Sequence, residues 1–326
     1  MNHPHNRLAL SAPGQSVPPA RRPYLVVNPR SRLASSAIAE VVRQCRLAGV
    51  PPPVSLATTR LQPGSTQTRQ AIEAGADLVI VVGGDGTIRQ AARELAGGQT
   101  RMGVIALGSG NVLAHNLGLA GRSLTEQIEV ALGEHCAGLD VGWARLVRMQ
   151  GQIIREPFCT MVGIGRDAQT VAATGFDAKR RLGWGAYALS GVQHALARPL
   201  PMRVQLDDQP WHSVVTWTVL AGITPRAPGG VLVYPDAVGD DGVLSVLEVP
   251  IRHPGQWLPV ALKGLAAPGL PTSALRYHRA MRLTVRPAEA LPVQLDGDVV
   301  TEVTELTATV QQQGLRVQIA QPRSGS

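Results

Sequence analysis

The sequence contains few aromatic residues and almost no lysine. Phe, Tyr and Trp make up 3% of the 326 residues, whereas hydrophobic residues make up 44%. The cores must therefore be aliphatic, and no aromatic–basic RNA-binding motif is present. Only Lys179 and Lys263 are lysines, so arginine supplies 29 of the 31 basic residues behind a net charge of +8. These arginines are dispersed, which argues against nucleic acid and favours nucleotide phosphates or an anionic membrane as partners.

Cysteine pairs and long hydrophobic runs are also missing. Cys45, Cys136 and Cys159 are far apart and form no Cys-x-x-Cys pair, which is typical of a reducing, cytoplasmic compartment. No apolar stretch reaches the roughly 20 residues that a membrane span requires. Residues 1–22 are rich in Pro, Arg and Ser, and we predict a disordered tail there.

The most informative motif is the pentapeptide Gly83-Gly84-Asp85-Gly86-Thr87. It follows an apolar run typical of a buried parallel strand and precedes a helix-compatible stretch. Glycines let the backbone approach an anion closely, and amides at the start of a helix supply donors and partial positive charge. The motif therefore predicts a phosphate cradle, with Asp85 placed to hold Mg²⁺. A tight turn with a polar tip is the simpler interpretation.

Strand and helix signals alternate through the first half of the chain. This rhythm favours a doubly wound α/β nucleotide-binding domain over residues 23–140, in which ligands bind at the carboxyl ends of the strands. Ser123-Leu-Thr-Glu126 is a capping box that predicts the start of a late helix in this domain. Polar loops follow the predicted strands at 28–31, 58–59, 83–87 and 108–111.

The second half reads as short strands separated by turns. It predicts a mainly antiparallel β-sandwich domain over residues 141–321. Helical stretches interrupt it near 184–197 and 253–266. Two separate strands are predicted near its end, at 305–310 and 315–319. The apolar stripe at 182–196 is either a wall of a lipid groove or ordinary core.

In their order along the chain, these loops resemble the motifs of the diacylglycerol kinase catalytic-domain family, which contains bacterial lipid kinases related to sphingosine and ceramide kinases. Asn28-Pro29-x-Ser31 is similar to the family's opening loop, and the 83–87 pentapeptide matches its signature fully. Four further segments of this chain resemble later motifs of the family. They are 107–119, 163–168 (Gly-Ile-Gly-Arg-Asp-Ala), 234–242 and 294–298 (Gln-Leu-Asp-Gly-Asp). The resemblance covers about residues 24–319.

The resemblance implies an ATP- and Mg²⁺-dependent kinase with its active site in the cleft between the two domains. Asp296 is then the base that accepts the proton of the substrate hydroxyl, and Asp85, Asp167 and Asp241 contribute to magnesium sites. The nucleotide is expected to contact Asn28, Ser31, Thr59, Gly83, Gly84, Asp85, Gly86, Thr87, Gly108, Ser109 and Asn111.

Three of these segments have competing interpretations. Asp296-Gly297 is a strong hairpin signal, and 240–242 is also a plausible turn. The segment 163–168 nominally fits a dinucleotide fingerprint, but no acidic residue follows about twenty positions later. The absence of Gly-x4-Gly-Lys-Ser/Thr excludes a P-loop enzyme.

Three functions remain open at this stage. The first is a lipid kinase, converting diacylglycerol to phosphatidic acid, in a cytoplasmic protein that associates peripherally with membrane and is a possible homodimer. The second is an NAD kinase-like phosphotransferase, which shares the glycine signature. The third is a catalytically degenerate nucleotide- or lipid-binding protein, suggested by Arg32, Gln90 and Asp298 where the family has other residues.

Overall fold

The computed structural model describes residues 8–11, 14–168, 198–227, 232–251, 256 and 275–321. The chain divides into two compact units: Met1–Val141 with Gly239–Asp241 and Gln312–Ser326, and Gly142–Val238 with Gly242–Gln311. The apolar stripe and the two helical stretches predicted in the second half lie outside the described residues, except for residue 256, and so do residues 1–7 and 12–13 of the predicted tail.

The first unit is built from alternating strands and helices. Its strands are β1 (Gln15–Ser16), β2 (Pro23–Val27), β3 (Val54–Ala57), β4 (Leu78–Gly83) and β5 (Arg101–Ala106). Its helices are α1 (Ala34–Leu47), α2 (Ser65–Glu73), α3 (Asp85–Leu95), α4 (Val112–Asn116) and α5 (Leu124–Leu132). None of the helices in the described ranges combines the length and hydropathy that a membrane crossing requires.

The central sheet of this unit is parallel, in the order β3-β2-β4-β5. The middle strand β4 is buried along its whole length, because helices cover both faces of the sheet. Its Leu78, Ile80 and Val82 pack in one core with α1 and α5, while α2 and α3 pack against each other and α3 contacts β4 and β5. This confirms the predicted doubly wound α/β architecture.

The capping box at the start of α5 is present as predicted. The amide of Glu126 donates to Oγ of Ser123 at 3.2 Å, and the amide of Ser123 donates to Oε2 of Glu126 at 2.7 Å. Two donors that would be unpaired at the helix start are thereby satisfied.

The described part of the predicted tail differs from the expectation of disorder. Residues 15–16 form β1, which pairs with the strand that begins at His135, and Val17 and Ala20 are buried. Ser11 donates from its amide (2.6 Å) and its hydroxyl (2.8 Å) to Oδ1 of Asp240. Polar composition predicted solvation here, but a few small apolar side chains and one buried carboxylate attach this segment to the first unit.

The second unit consists of antiparallel strands. They are β7 (Ile153–Phe158), β8 (Met161–Gly165), β9 (Leu200–Leu206), β10 (His212–Thr216), β11 (Thr218–Gly222), β12 (Leu244–Glu248), β13 (Arg276–Ala280), β14 (Arg282–Pro287) and β15 (Leu291–Leu295). Two long strands, β6 (His135–Arg148) and β16 (Asp298–Gln318), contain residues of both units.

The strands of the second unit form the two layers of a sandwich-like core. One series runs β13-β12-β11-β8-β15-β16, and the other runs β10-β9-β14-β16. The single strand β16 replaces the two strands predicted at 305–310 and 315–319. It pairs first with β15 and then with β14, and an irregularity in the β15 register together with a positive φ of 61° at Glu302 marks the change. Bulges bend a strand, and this one lets β16 serve both layers.

Candidate active site

Two glycine loops touch at the carboxyl ends of β4 and β5. The amide of Leu107 donates to the carbonyl oxygen of Gly83 at 2.8 Å. A Cβ placed on Gly108 would lie 2.6 Å from Cα of Gly84, a distance that side chains do not tolerate. The loops 83–87 and 108–111 therefore form one structure, and its close packing depends on the missing side chain.

Asp85 connects these loops through its carboxylate. It is the first residue of α3, where a negative charge is favoured by the helix dipole, and its Oδ1 accepts a hydrogen bond from the amide of Val112 at 2.7 Å. Its Oδ2 faces Gly110, where a Cβ would lie only 2.7 Å away. The bare Gly110 therefore keeps space open beside one carboxylate oxygen.

Asn111 shapes the second loop from within. It has a positive φ of 47° and exchanges two hydrogen bonds with Gly108: the Gly108 amide donates to Oδ1 at 2.9 Å, and Nδ2 donates to the Gly108 carbonyl at 2.7 Å. Asn tolerates this conformation better than most residues. The side chain predicted to contact nucleotide is therefore engaged with its own loop, while Ser109 between them is exposed.

The remaining predicted nucleotide residues lie in the same unit. Asn28 donates from its amide to the carbonyl of Val82 at 2.9 Å, and its Oδ1 accepts from the amide of Arg30 at 3.1 Å. Oγ1 of Thr59 accepts from the amide of Gln62 at 3.0 Å. Thr87 is buried, and its side chain would lie 3.0 Å from a Cβ placed on Gly83. The structure thus brings the loop at 28–31 beside the end of β4.

Asp296 lies in the second unit, in a two-residue hairpin between β15 and β16. Asp296 and Gly297 have positive φ values of 48° and 93°, and Leu295 pairs with Asp298. The hairpin signal read from the sequence therefore describes the local backbone correctly. This does not decide the chemical role of Asp296, because a turn can also present a side chain.

The carboxylate of Asp296 is held by the segment between β7 and β8. Its Oδ1 accepts from the amide of Thr160 at 2.9 Å, from the Thr160 hydroxyl, and from the amide of Met161 at 3.0 Å. Its Oδ2 accepts from the amide of Cys159 at 2.6 Å. Four donors nearly exhaust the lone pairs of a carboxylate. Thr160, which no sequence motif identified, is thus a principal partner of this site.

Asp167 is a buried carboxyl in the same unit. Thr218 donates its hydroxyl to Oδ1. Among the described residues, Oδ2 has no hydrogen-bond partner, and a Cβ on Gly163 would lie 2.2 Å from it. Burial raises the pKa of Asp167 to about 6, against the lowering effect of hydrogen bonds from Thr218, the Ala168 amide and Gln294. The Gly-x-Gly-x-Asp spacing therefore has a steric reason, since the first glycine leaves room for the carboxyl.

Gln294 relates this buried carboxyl to the hairpin. Its side chain hydrogen-bonds to Asp167, and its Oε1 accepts from the amide of Gly297 at 3.2 Å. Asp298, the first residue of β16, is exposed on the same hairpin. Gln294 thus contacts both the carboxyl group of Asp167 and the turn that contains Asp296.

Asp241 is half-buried and belongs to the first unit, in the short segment that also contains Asp240. The fully buried member of this pair is Asp240, which binds Ser11 as described above. In the described ranges, no group of three or more His, Cys, Asp and Glu side chains is arranged to hold a metal ion. The doubled Asp-Asp in the sequence gave no sign of which carboxylate would be buried.

Two family models match the chain in sequence. The diacylglycerol kinase catalytic domain matches residues 22–144, and the YegS C-terminal NAD kinase β-sandwich-like domain matches residues 160–319. Together they account for both units in the order in which the structure builds them.

Individual proteins give the same result. A diacylglycerol kinase of Bacillus subtilis is 24% identical over 283 residues, covering 85% of this chain and 90% of its own length. A "probable lipid kinase YegS-like" protein of Chromohalobacter salexigens is 31% identical over 246 residues, covering 72% and 74%. The crystal structure of a diacylglycerol kinase from Bacillus anthracis superposes with a TM-score of 0.67 at 19% identity, covering 92% and 97%.

The α/β unit with its paired glycine loops, the sandwich-like second unit and these matches lead to one assignment. The chain belongs to the diacylglycerol kinase catalytic-domain family, in the group of lipid kinases that have a YegS-type C-terminal domain.

Proposed function

We propose that this protein is an ATP- and Mg²⁺-dependent lipid kinase that transfers the γ-phosphoryl group to a lipid hydroxyl, with diacylglycerol as the acceptor and phosphatidic acid as the product. The observation that carries the proposal is the close contact between the loops 83–87 and 108–111, joined by the Asp85–Val112 hydrogen bond. Phosphoryl transfer depends mainly on positioning and charge neutralisation, and a rigid pair of glycine loops supplies positioning.

The nucleotide phosphates are proposed to lie against the first unit. Glycine amides at the start of α3 and in the second loop are suited to bind phosphate oxygens. The hydroxyl groups of Ser31, Thr59 and Ser109 are candidates for further contacts. Since the chain has only two lysines, cationic help for the phosphates is assigned to arginine and to the metal ion.

Mg²⁺ is proposed to bind carboxylate oxygens, the ligands that it prefers. Asp85 accepts from Val112 through Oδ1, and we assign the ion to its Oδ2, which faces Gly110. Asp167, whose buried Oδ2 has no hydrogen-bond partner within the part of the chain that the structure describes, is suited to bind a metal-bound water. Asp241 is proposed as a ligand in a structural site. A bound Mg²⁺ would neutralise phosphate charge during transfer.

Proton acceptance is assigned to the hairpin of the second unit. A base needs an available lone pair, and Oδ1 of Asp296 already accepts three hydrogen bonds. We therefore assign the base role of Asp296 to Oδ2, which accepts from Cys159. Asp298 is the second candidate, because its exposed carboxylate lies on the same turn.

The acceptor follows from the relatives named above as diacylglycerol and lipid kinases. An enzyme acting on such an acceptor would work at a membrane surface, and we propose a cytoplasmic protein that associates peripherally with it. A homodimer is a further proposal, to be tested by the molar mass in solution.

The test is an assay with γ-labelled ATP and total lipid extract, followed by mass spectrometry of the labelled product. Labelled phosphatidic acid that requires Mg²⁺ is the expected result. Labelling of another lipid alcohol would replace diacylglycerol as the acceptor, and no labelled lipid at all would refute the lipid kinase assignment.

An NAD kinase-like activity is the second candidate, favoured by the NAD kinase β-sandwich-like model that matches residues 160–319. NAD in the same labelling assay distinguishes the two, since this candidate predicts labelled NADP and unlabelled lipid. Tight ATP binding without turnover on either acceptor would instead support the degenerate binding protein suggested by Arg32, Gln90 and Asp298.

A further inference from the structure

One outward sheet face of the second unit carries five arginines, which we call the arginine face: Arg145, Arg155, Arg203, Arg282 and Arg286. They project from β6, β7, β9 and β14. The alternate residues of these strands, such as Val204, Leu283 and Leu146, are buried in the core. Since successive side chains of a strand point to opposite faces, the arginines point away from that core.

The arginines lie directly opposite one another across the strands. Arg203 pairs with Arg286 in the β9–β14 register, and Arg145 pairs with Arg155 in the β6–β7 register. Like charges in directly opposite positions destabilise a sheet. Folding stability alone therefore does not favour this arrangement, which indicates a role in binding.

Carboxylates offset only part of this charge among the described residues. Glu305 binds both Arg145 (2.9 Å) and Arg286 (2.7 Å), and Asp208 pairs with Arg282. Because two arginines share the single carboxylate of Glu305, this part of the face keeps an excess of positive charge. Exposed ion pairs of this kind contribute little to stability.

Aromatic and aliphatic side chains accompany the arginines. The guanidinium groups of Arg203 and Arg286 lie 5.2 and 4.8 Å from the centroid of the Trp211 ring. Ile153 on β7 is 53% exposed and Val215 on β10 is 49% exposed. Basic groups mixed with tryptophan and exposed aliphatic residues are typical of surfaces that bind a membrane interface.

We propose that the arginine face docks the protein on an anionic lipid membrane. The inference rests on the proposed lipid kinase function, and it adds which surface meets the bilayer. Anionic headgroups complement the excess charge, and Ile153 and Val215 enter the interface beside them. A second copy of the chain is disfavoured because two such faces repel, and single-stranded nucleic acid is disfavoured because guanidinium groups already cover the Trp211 ring that bases would stack on.

The test is co-sedimentation of the full-length protein with vesicles of phosphatidylcholine, with and without phosphatidylglycerol, in the absence of ATP and diacylglycerol. Wild-type protein binds only the anionic vesicles, and high salt releases it. The double variant R155Q/R203Q binds roughly 30-fold more weakly, as expected for the loss of two basic residues at an anionic surface. The control R46Q/R276Q removes the same charge from exposed residues on α1 and β13, and its binding stays within roughly threefold of wild type.

Three outcomes overturn the proposal: wild type that ignores anionic vesicles, equal losses in both double variants, or binding unaffected by salt. If R155Q/R203Q does not fold, the single variants R155Q and R203Q replace it, and each is expected to bind roughly fivefold more weakly than wild type. Phosphorylation of diacylglycerol in neutral detergent micelles is measured in parallel. Docking without phosphorylation refutes only the proposed function, whereas phosphorylation without docking refutes only the arginine face.

Discussion

The amide of Val112 donates a hydrogen bond of 2.7 Å to Oδ1 of Asp85. These residues are 27 positions apart, and the bond joins the first residue of α3 to the first residue of α4. A charged acceptor makes such a bond stronger than one between neutral groups. Oδ2 is the oxygen that we propose for the metal ion, so one carboxylate has a structural and a proposed catalytic function.

These two functions of Asp85 are separable by substitution. Asp85→Asn keeps an oxygen that can accept from Val112, so its free energy of unfolding should stay within about 1 kcal/mol of wild type, while kinase activity falls at least about 100-fold. Asp85→Ala removes the acceptor as well and should cost about 1–3 kcal/mol in addition. Urea unfolding and the lipid kinase assay measure the two effects. Full activity of the Asn variant would contradict the metal role.

Close packing of the glycine loops predicts a steric effect at Gly108. Gly108→Ala places a methyl group 2.6 Å from Cα of Gly84, and a neighbouring backbone cannot move aside as a flexible side chain can. We expect a loss of about 1–3 kcal/mol in stability and a large loss of ATP affinity. The matched control is Ser109→Ala, which changes an exposed side chain in the same loop and should leave stability unchanged. Calorimetric titration measures the ATP affinity, and thermal unfolding measures the stability. Equal stability and equal ATP affinity of the two variants would show that the contact between Gly108 and Gly84 is unimportant.

The two acidic residues of the hairpin should respond differently to the same substitution. Asp296→Asn replaces one accepting oxygen with an NH₂ group that must face a donor, either the Cys159 amide or the Thr160 and Met161 amides. We expect a loss of about 2–3 kcal/mol in stability together with loss of activity. Asp298→Asn is exposed and should change stability by less than about 0.5 kcal/mol. Activity of the folded Asp298→Asn variant then assigns the base: retained activity leaves the role to Asp296, and lost activity transfers it to Asp298.

Asp167 predicts a specific pH dependence of stability. Its pKa is raised from 3.8 to about 6, so the folded state binds the proton more tightly than the unfolded state does. The free energy of unfolding therefore contains a contribution that is present below about pH 4 and is lost as pH rises through about 6. The loss is at most about 3 kcal/mol.

Asp167→Asn removes this contribution. In EDTA, the stability of the Asn variant relative to wild type should increase by about 2 kcal/mol between pH 4.5 and 7.5. Other carboxylates change the absolute curves but cancel in the difference. Parallel curves for the two proteins would show that Asp167 does not titrate in this range.

Local patterns in the sequence were sufficient for much of the fold. The apolar run before Gly83 predicted β4, and the Ser123–Glu126 spacing predicted the capped start of α5. Both depend on interactions within a few residues, and the motif order predicted the family. The pattern was insufficient at β16, where two strands were predicted, because its continuity depends on pairing with several distant strands, among them β14 and β6.

The candidate site shows the same division between local and distant information. The hairpin at Asp296–Gly297 was readable from the dipeptide, but its partners at 159–161 were not, since they lie about 136 positions away. Likewise, the sequence identified Asp167 without its burial, and it gave no reason to expect Gln294 beside it.

The sequence by itself determined the types of element, the glycine loops and the residues able to bind phosphate and metal, because propensity, periodicity and backbone freedom act over short distances. The tertiary structure alone decided that Asp85 accepts from Val112, that the segment 159–161 holds Asp296, and that five arginines share one sheet face. These properties arise from strand pairing and packing between distant segments, whose register no local pattern encodes.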